Sequence, residues 1–197
     1  MADLNQAAKV LEEAGFGVHV FSTAAEAAAW LDANIDGKTV GFGGSVTLRD
    51  MGLYEKLSGH NTVYWHWEQG PEIRKAAMQA DVYVTSVNAL AESGEIVNID
   101  GTGNRVAGTL YGHENVYYVI GRNKLTDDYD SAIWRARNVA APKNAQRLGL
   151  KTPCAIKGDH CYNCKSPDRI CCGMVTMWRP MAGMPAEILL IDEDLGM

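Results

Sequence analysis

The stretch "DVYVTSVNALAESGEIVNIDGTGNRVAGTLYGHENVYYVI", residues 81–120, decides the fold. It opens on "DVYVTSV" (81–87), whose β-branched and aromatic content is that of a strand buried on both faces. "GEIVNI" (94–99) and "NVYYVI" (115–120) read as two further strands. Between them "GNRVAGTLYG" (103–112) reads as a short helix closed by Gly112. The turn "NIDGTGNRVAG" (98–108) carries far more hydrogen-bonding capacity than turning requires, since one glycine and one asparagine suffice for a tight turn.

The same rhythm continues outward. Upstream, Leu4, Ala8 and Leu11 share one face of a helix that stops at Gly15. Thr23 and Glu26 form a capping box ahead of a second helix, with Ala27, Trp30, Leu31 and Asn34 at helical spacing. "KTVGF" (38–42) is a short buried strand, and "TVYWHW" (62–67) is an apolar run of strand length. Pro71 introduces a helix over "EIRKAAMQA" (72–80). Downstream, "DDYDSAIWRARNVAAPKNAQRL" (127–148) is helical up to Ala141 and broken or kinked at Pro142. "AEILLI" (186–191) is the last strand. Strand–helix alternation of this kind predicts one α/β domain over residues 1–197, a mostly parallel sheet with helices on both faces. Only residues 151–185 leave that rhythm.

Composition narrows the function. The chain of 197 residues is 47% hydrophobic and 21% charged, with a formal net charge of -6. That balance, without a Lys/Arg-rich run, argues against nucleic acid or an anionic membrane as the main partner. No stretch reaches the roughly 18 apolar residues of a membrane span. The first residues lack a secretory signal's basic start and apolar segment, which predicts a cytoplasmic protein.

Two loops follow strand ends, where open α/β sheets bind ligands. In "GFGGSVT" (41–47), Gly43 and Gly44 let the backbone approach a ligand, and the Ser45 and Thr47 hydroxyls can bond phosphate, carboxylate or carbonyl oxygens. The alternative is a glycine turn in which Ser45 or Thr47 caps a helix. The loop is neither a Walker A nor a Rossmann fingerprint, and the chain carries no flavin or nicotinamide motif. In the second region Asn88 can project an amide to a ligand or satisfy a turn. Glu92, Glu95 and Asp100 are candidate bases or simply solvated carboxylates. Arg105 can clamp an anion with two donors, or form a surface ion pair of little worth.

The ordered series "GFGGSVTLRDMGL", "ADVYVTSVNALAESGEIVNIDGTGNRVAG", "GRNK", "RNVAAPKNAQRL", "CKSPDRIC" and "EILLIDEDLG" resembles the lactate-utilisation (LUD) domain family, in its short stand-alone branch with a cysteine-rich C-terminal segment. The resemblance spans roughly residues 5–197 and implies a fold similar to the superfamily of ribose-phosphate isomerases, glucosamine-phosphate deaminases and CoA transferases. It further implies that Gly43, Gly44, Ser45 and Thr47 contact an anion. Asn88, Asn98, Asp100, Gly101, Thr102, Gly103, Asn104 and Arg105 would complete that pocket. A role in oxidising lactate or a related hydroxy acid follows from it, with a small anionic or acyl ligand and redox partner subunits of an iron–sulfur system. Whether the chain is an enzyme by itself is left open, as is a homo-oligomeric state. Two other readings stand beside this one: a transferase or isomerase acting on a CoA ester or sugar phosphate, with Glu92 or Glu95 as its carboxylate, and a metal- or redox-sensing regulator.

All five cysteines lie between Cys154 and Cys172. Such a local cluster favours metal over a stapling disulfide. The pattern C-x(6)-C-x(2)-C-x(6)-C-C offers Cys154, Cys161, Cys164 and Cys171 as four ligands, with Cys172 a spare and His160 an alternative. It matches neither ferredoxin spacing nor paired zinc units. The family's redox setting favours an iron–sulfur cluster over zinc. A few residues outside the loops also stand out. His66, between two tryptophans, reads as core or subunit contact, and His113 as solvated. Arg122 and Lys124 of "GRNK" follow a strand end and either add positive charge to the pocket or lead into a helix.

Overall fold

In a computed structural model, which describes residues 2–197, the strands form two sheets. The larger contains β1 (Gly17–Phe21), β2 (Thr39–Phe42), β3 (Thr62–Tyr64), β4 (Val82–Thr85), β7 (Asn115–Gly121) and β10 (Ala186–Ile191). Its order is β1-β10-β7-β4-β2-β3, and every pairing is parallel. The smaller holds β5 (Ala89–Ala91), β6 (Ile96–Asp100), β8 (Leu125–Thr126) and β9 (Gly173–Met177), in the order β8-β5-β6-β9. Here β6 runs antiparallel to both β5 and β9. The "GEIVNI" strand therefore leaves the main sheet. A hairpin can turn back within a few residues, whereas a parallel return needs a long crossover. Residues 151–185 supply the edge strand β9 of this second sheet.

Helices cover both faces of the parallel sheet. On one side α1 (Leu4–Glu13) buries Ala7, Ala8 and Leu11, with Asp3 capping its start. On the other, α2 (Ala24–Asn34) buries Ala27, Ala28 and Leu31. Its capping box is complete. The Glu26 amide donates to Thr23 Oγ1 at 3.3 Å, and the Thr23 amide donates to Glu26 Oε2 at 3.0 Å. The central strand β4 is buried on every residue, Val82–Thr85, as a sheet covered on both faces requires.

The strand order places a crevice. From β2 the chain passes through α3 (Val46–Asp50) and α4 (Leu53–Leu57) outward to β3. From β4, the neighbour of β2, it moves the other way to β7. Loops leaving β2 and β4 thus diverge at adjacent carboxyl ends, which opens a cleft at that point.

Three local expectations change. "TVYWHW" is strand only to Tyr64, and α5 (His66–Gln69) begins at once. The Gln69 side chain accepts the Trp65 amide at 2.7 Å, which turns the chain off the edge of the sheet and carries His66 to its carboxyl end. The helix through Pro142 does not break. Between α8 (Tyr129–Arg135) and α9 (Ala141–Arg147), residues 136–140 widen into a π-helical turn. A wider turn gives a proline ring and its missing N–H a place without a clash. His113 is buried, not solvated: its Nδ1 lies 2.7 Å from the Ala80 carbonyl, and its ring stacks on Tyr83 at 4.9 Å. Burial lowers its pKa.

Candidate functional site

A cavity of about 250 Å³ occupies the crevice. Gly44, Ser45 and Thr47 line it from the loop after β2, and Ser86 and Asn88 from the loop after β4. Asp100, Gly101, Thr102, Asn104 and Arg105 form a further wall. Gly43, Asn98 and Gly103 are not among its lining residues. Glu92 and Glu95 do not line it. Glu92 Oε2 accepts the Asp3 amide, and Glu95 accepts the Ser93 hydroxyl within the β5–β6 hairpin.

The wealth of polar groups in "NIDGTGNRVAG" now has a physical account. Asp100 Oδ1 accepts the amides of Thr102 at 3.0 Å and Gly103 at 2.8 Å, and Oδ2 accepts that of Val106 at 3.2 Å. These donors open α7 (Asn104–Gly108), whose first amides have no partner inside the helix. The carboxylate of Asp100 is a cap rather than a free base. Gly103 adopts φ +88°, a conformation that favours glycine, at the helix entry.

Arg105 is likewise internal. Its side chain is only 12% exposed. Nη1 donates to Asn98 Oδ1 and, at 3.2 Å, to the Ser86 carbonyl. Nη2 donates to Asn88 Oδ1 at 3.0 Å and to the Ile99 carbonyl at 2.6 Å. Asp100 supplies the charge partner at 3.9 Å. The guanidinium therefore ties the two loops together instead of clamping a ligand or decorating the surface. Asn88 and Asn98 face it, and Asn88 Oδ1 also accepts the Ile99 amide at 2.6 Å. Ser45 caps α3 through Leu48, at 3.4 Å.

The remaining charge in the cavity comes from residues outside the two loops. Arg74, Lys124 and Arg147 all line it, together with His66 and Trp67. Arg147 lies over the Trp67 ring at 4.7 Å, a cation–π contact. Buried Nε of Arg74 and buried Nδ1 of His66 have no hydrogen-bond partner among the described residues. Burial lowers the His66 pKa, with the charge of Arg74 adding to it. Lys124 Nζ donates to Thr47 Oγ1 and Ser86 Oγ, each at 2.7 Å. Burial, then the charges of Arg135 and Arg105, push its pKa from 10.5 down to about 7.

Of these residues only Lys124 was singled out for the pocket by its sequence position. His66, read from the sequence as core or subunit contact, lines the cavity, and nothing in the sequence marks Arg74 or Arg147. The available signal was position after a strand end for His66. Arg147 had none, because only the helix packing of 141–147 brings it across. Ser86, directly after β4, was passed over inside an apolar run.

The cysteine segment packs against the same wall. A Cβ on Gly101 would lie 2.6 Å from the Ile170 carbonyl, so only glycine allows this approach. Cys171 lines the first cavity and also a second of about 190 Å³, which Cys161 and Cys172 share. Arg169 stands among the thiols: Nε donates to Cys171 Sγ at 3.1 Å and Nη1 to the Cys164 carbonyl at 3.0 Å. Cys154 Sγ lies instead beside Thr152 Oγ1 at 3.3 Å, and His160 faces Asp159. Among the described residues no three His, Cys, Asp or Glu side chains are gathered as a metal site. Cys161, Cys171 and Cys172 border the second cavity without being gathered as a metal site, and neither Cys154 nor Cys164 borders it.

Among the described residues no helix is long and apolar enough to cross a membrane. No curated protein matches the chain. Among solved structures it is similar to a DUF162 family protein from Deinococcus radiodurans, determined at 1.70 Å resolution. That match has a TM-score of 0.56 and 12% identity over 95% of each chain, a likeness of fold. The LUD domain family matches residues 4–191. With nearly the whole chain inside that match, the protein belongs to the LUD domain family.

Proposed function

We propose that this protein binds a small anionic ligand, of the hydroxy-acid or oxo-acid class, and serves the utilisation of lactate or a related hydroxy acid together with redox partner subunits. One observation carries the reading. In a chain of net charge -6, the cavity is lined by the basic side chains Arg74, Lys124 and Arg147. Asp100 is the one carboxylate side chain there, and its oxygens are taken by amides and Arg105. A cationic lining in an acidic chain favours an anionic ligand, held by local charge.

Isothermal titration with L-lactate, pyruvate and inorganic phosphate tests this. Saturable binding of either acid, lost in Arg74→Gln, supports the reading. Binding of phosphate alone moves the ligand to the sugar-phosphate class and overturns it. That transferase or isomerase reading lacks support at its carboxylate, since neither Glu92 nor Glu95 reaches the cavity.

An iron–sulfur cluster on Cys154, Cys161, Cys164 and Cys171, or zinc on the same residues, belongs to this proposal. Such a cluster would supply a one-electron route beside the ligand. Support comes from Cys171, which borders both cavities. The same position favours the sensing alternative, in which metal or thiol state changes the ligand wall. Anaerobic purification with iron, sulfide and zinc analysis tests this: iron with sulfide supports the redox role, and zinc alone removes the one-electron route.

A further inference from the structure

Lys124 has an environment that neither an anion anchor nor a structural lysine needs. It sits in the turn Arg122–Lys124 directly after β7 and is only 3% exposed. Both of its partners already place their protons elsewhere. Ser86 Oγ donates to the Val119 carbonyl at 2.6 Å and Thr47 Oγ1 to the Leu195 carbonyl at 3.3 Å. Each hydroxyl thus offers only lone pairs to Nζ. A neutral amine has two N–H donors, and these two acceptors satisfy both. The amine lone pair is what remains, on a residue that lines the cavity beside Thr47 and Ser86.

The charges around Nζ favour the same form. Among the described residues no carboxylate lies within ion-pair distance of it. Arg135 and Arg105 face it with positive charge, and Asp50 acts against them only weakly. Arg135 is itself fixed nearby, with Nε donating to the Asn123 carbonyl at 2.8 Å. With its pKa near 7, the free amine is well populated at neutral pH. A desolvated amine of this kind is the ordinary way a lysine becomes a nucleophile.

We propose that Lys124 attacks the carbonyl carbon of a small 2-oxo acid bound in the cavity, forming a carbinolamine and then an imine, while Arg74 and Arg147 hold the carboxylate. The Nζ lone pair forms the C–N bond as the carbonyl π pair moves to oxygen. One amine proton passes to that oxygen. The second leaves as the oxygen departs as water, and the C=N bond closes. Nothing is oxidised or reduced. The hydroxyls of Ser86 and Thr47, both 2.7 Å from Nζ, hold the amine in place for the attack. The substrate class rests on the oxo-acid reading above, and the covalent step is new to it.

Reductive trapping tests the step. The full chain is incubated with pyruvate and sodium cyanoborohydride near neutral pH, then measured by intact mass and peptide mapping. The expected result is a single reduced adduct on the peptide carrying Lys124, fully lost in Lys124→Arg. Mapping on the wild-type chain decides the site even if that variant does not fold. No adduct while calorimetry shows pyruvate bound overturns the covalent step and leaves the pocket reading standing. Adducts spread over surface lysines overturn it too. An adduct with glyceraldehyde 3-phosphate but none with pyruvate overturns the substrate class. Neither binding nor adduct removes both readings.

Discussion

The Cys172 amide donates to the Asp100 carbonyl at 2.9 Å, which ties the cysteine segment to the turn that walls the ligand cavity. Gly101, the next residue, meets the Ile170 carbonyl at a distance only a missing side chain permits. Anything that moves residues 170–172 therefore moves the wall. Gly101→Ala is expected to displace the segment, exposing Cys171 and weakening ligand binding together. Thiol labelling rates beside calorimetry check this; faster labelling with unchanged affinity would separate the two.

Arg105 holds the two loops by hydrogen bonds to Ser86, Asn88, Asn98 and Ile99. Arg105→Met removes four hydrogen bonds from a charged donor, each contributing about 1.5–3 kcal/mol, although Asn88 Oδ1, Asn98 Oδ1 and the Ser86 carbonyl each keep one other donor. A loss of at least about 3 kcal/mol in urea unfolding is expected. A loss below about 1 kcal/mol would show that the loops keep their arrangement without the guanidinium.

Lys124 gives stability a pH dependence of predictable sign. Folded, it titrates at about 7; unfolded, at its ordinary 10.5. Between those values the unfolded chain binds more protons, so this group makes stability rise with pH across the window and adds no slope below it. The difference in unfolding free energy between wild type and Lys124→Met, followed from pH 6 to 10 (about the span of the window), should grow with pH in favour of the wild type. A flat difference would mean that the amine is solvated.

Arg74 carries a buried Nε with no partner in the cavity wall. Arg74→Gln removes its charge and should weaken anion binding about tenfold or more, as loss of a charge-assisted contact does. Thermal stability should change little, since no internal hydrogen bond of Nε is lost. Unchanged affinity would place the ligand elsewhere in the cleft.

Glu92 and Glu95 supply the control. Both belong to the β5–β6 hairpin and its contact with Asp3, away from the cavity. Glu92→Gln and Glu95→Gln should leave ligand affinity within about twofold of wild type. A large loss in either would return the transferase reading to consideration.

The α/β class, the two loops and the helix caps are legible in the order of residues alone. Each depends on neighbours a few residues apart: the β-branched run of Val82–Thr85, the capping box of Thr23 and Glu26, and Gly44 and Ser45 directly after a strand. The sequence also named Lys124 as a possible source of charge at a strand end. What it did not determine was which polar groups face a ligand and which face one another. Asp100 and Arg105 looked like binding residues by type, but their donors and acceptors close on the turn and on Asn88 and Asn98. Conversely, nothing in the sequence marks Arg74 or Arg147, and only the meeting of α9 with the loops after β2 and β3 brings them to one cavity. Side-chain identity sets what a group can bond; the tertiary structure decides whether a partner within the protein has already taken that capacity.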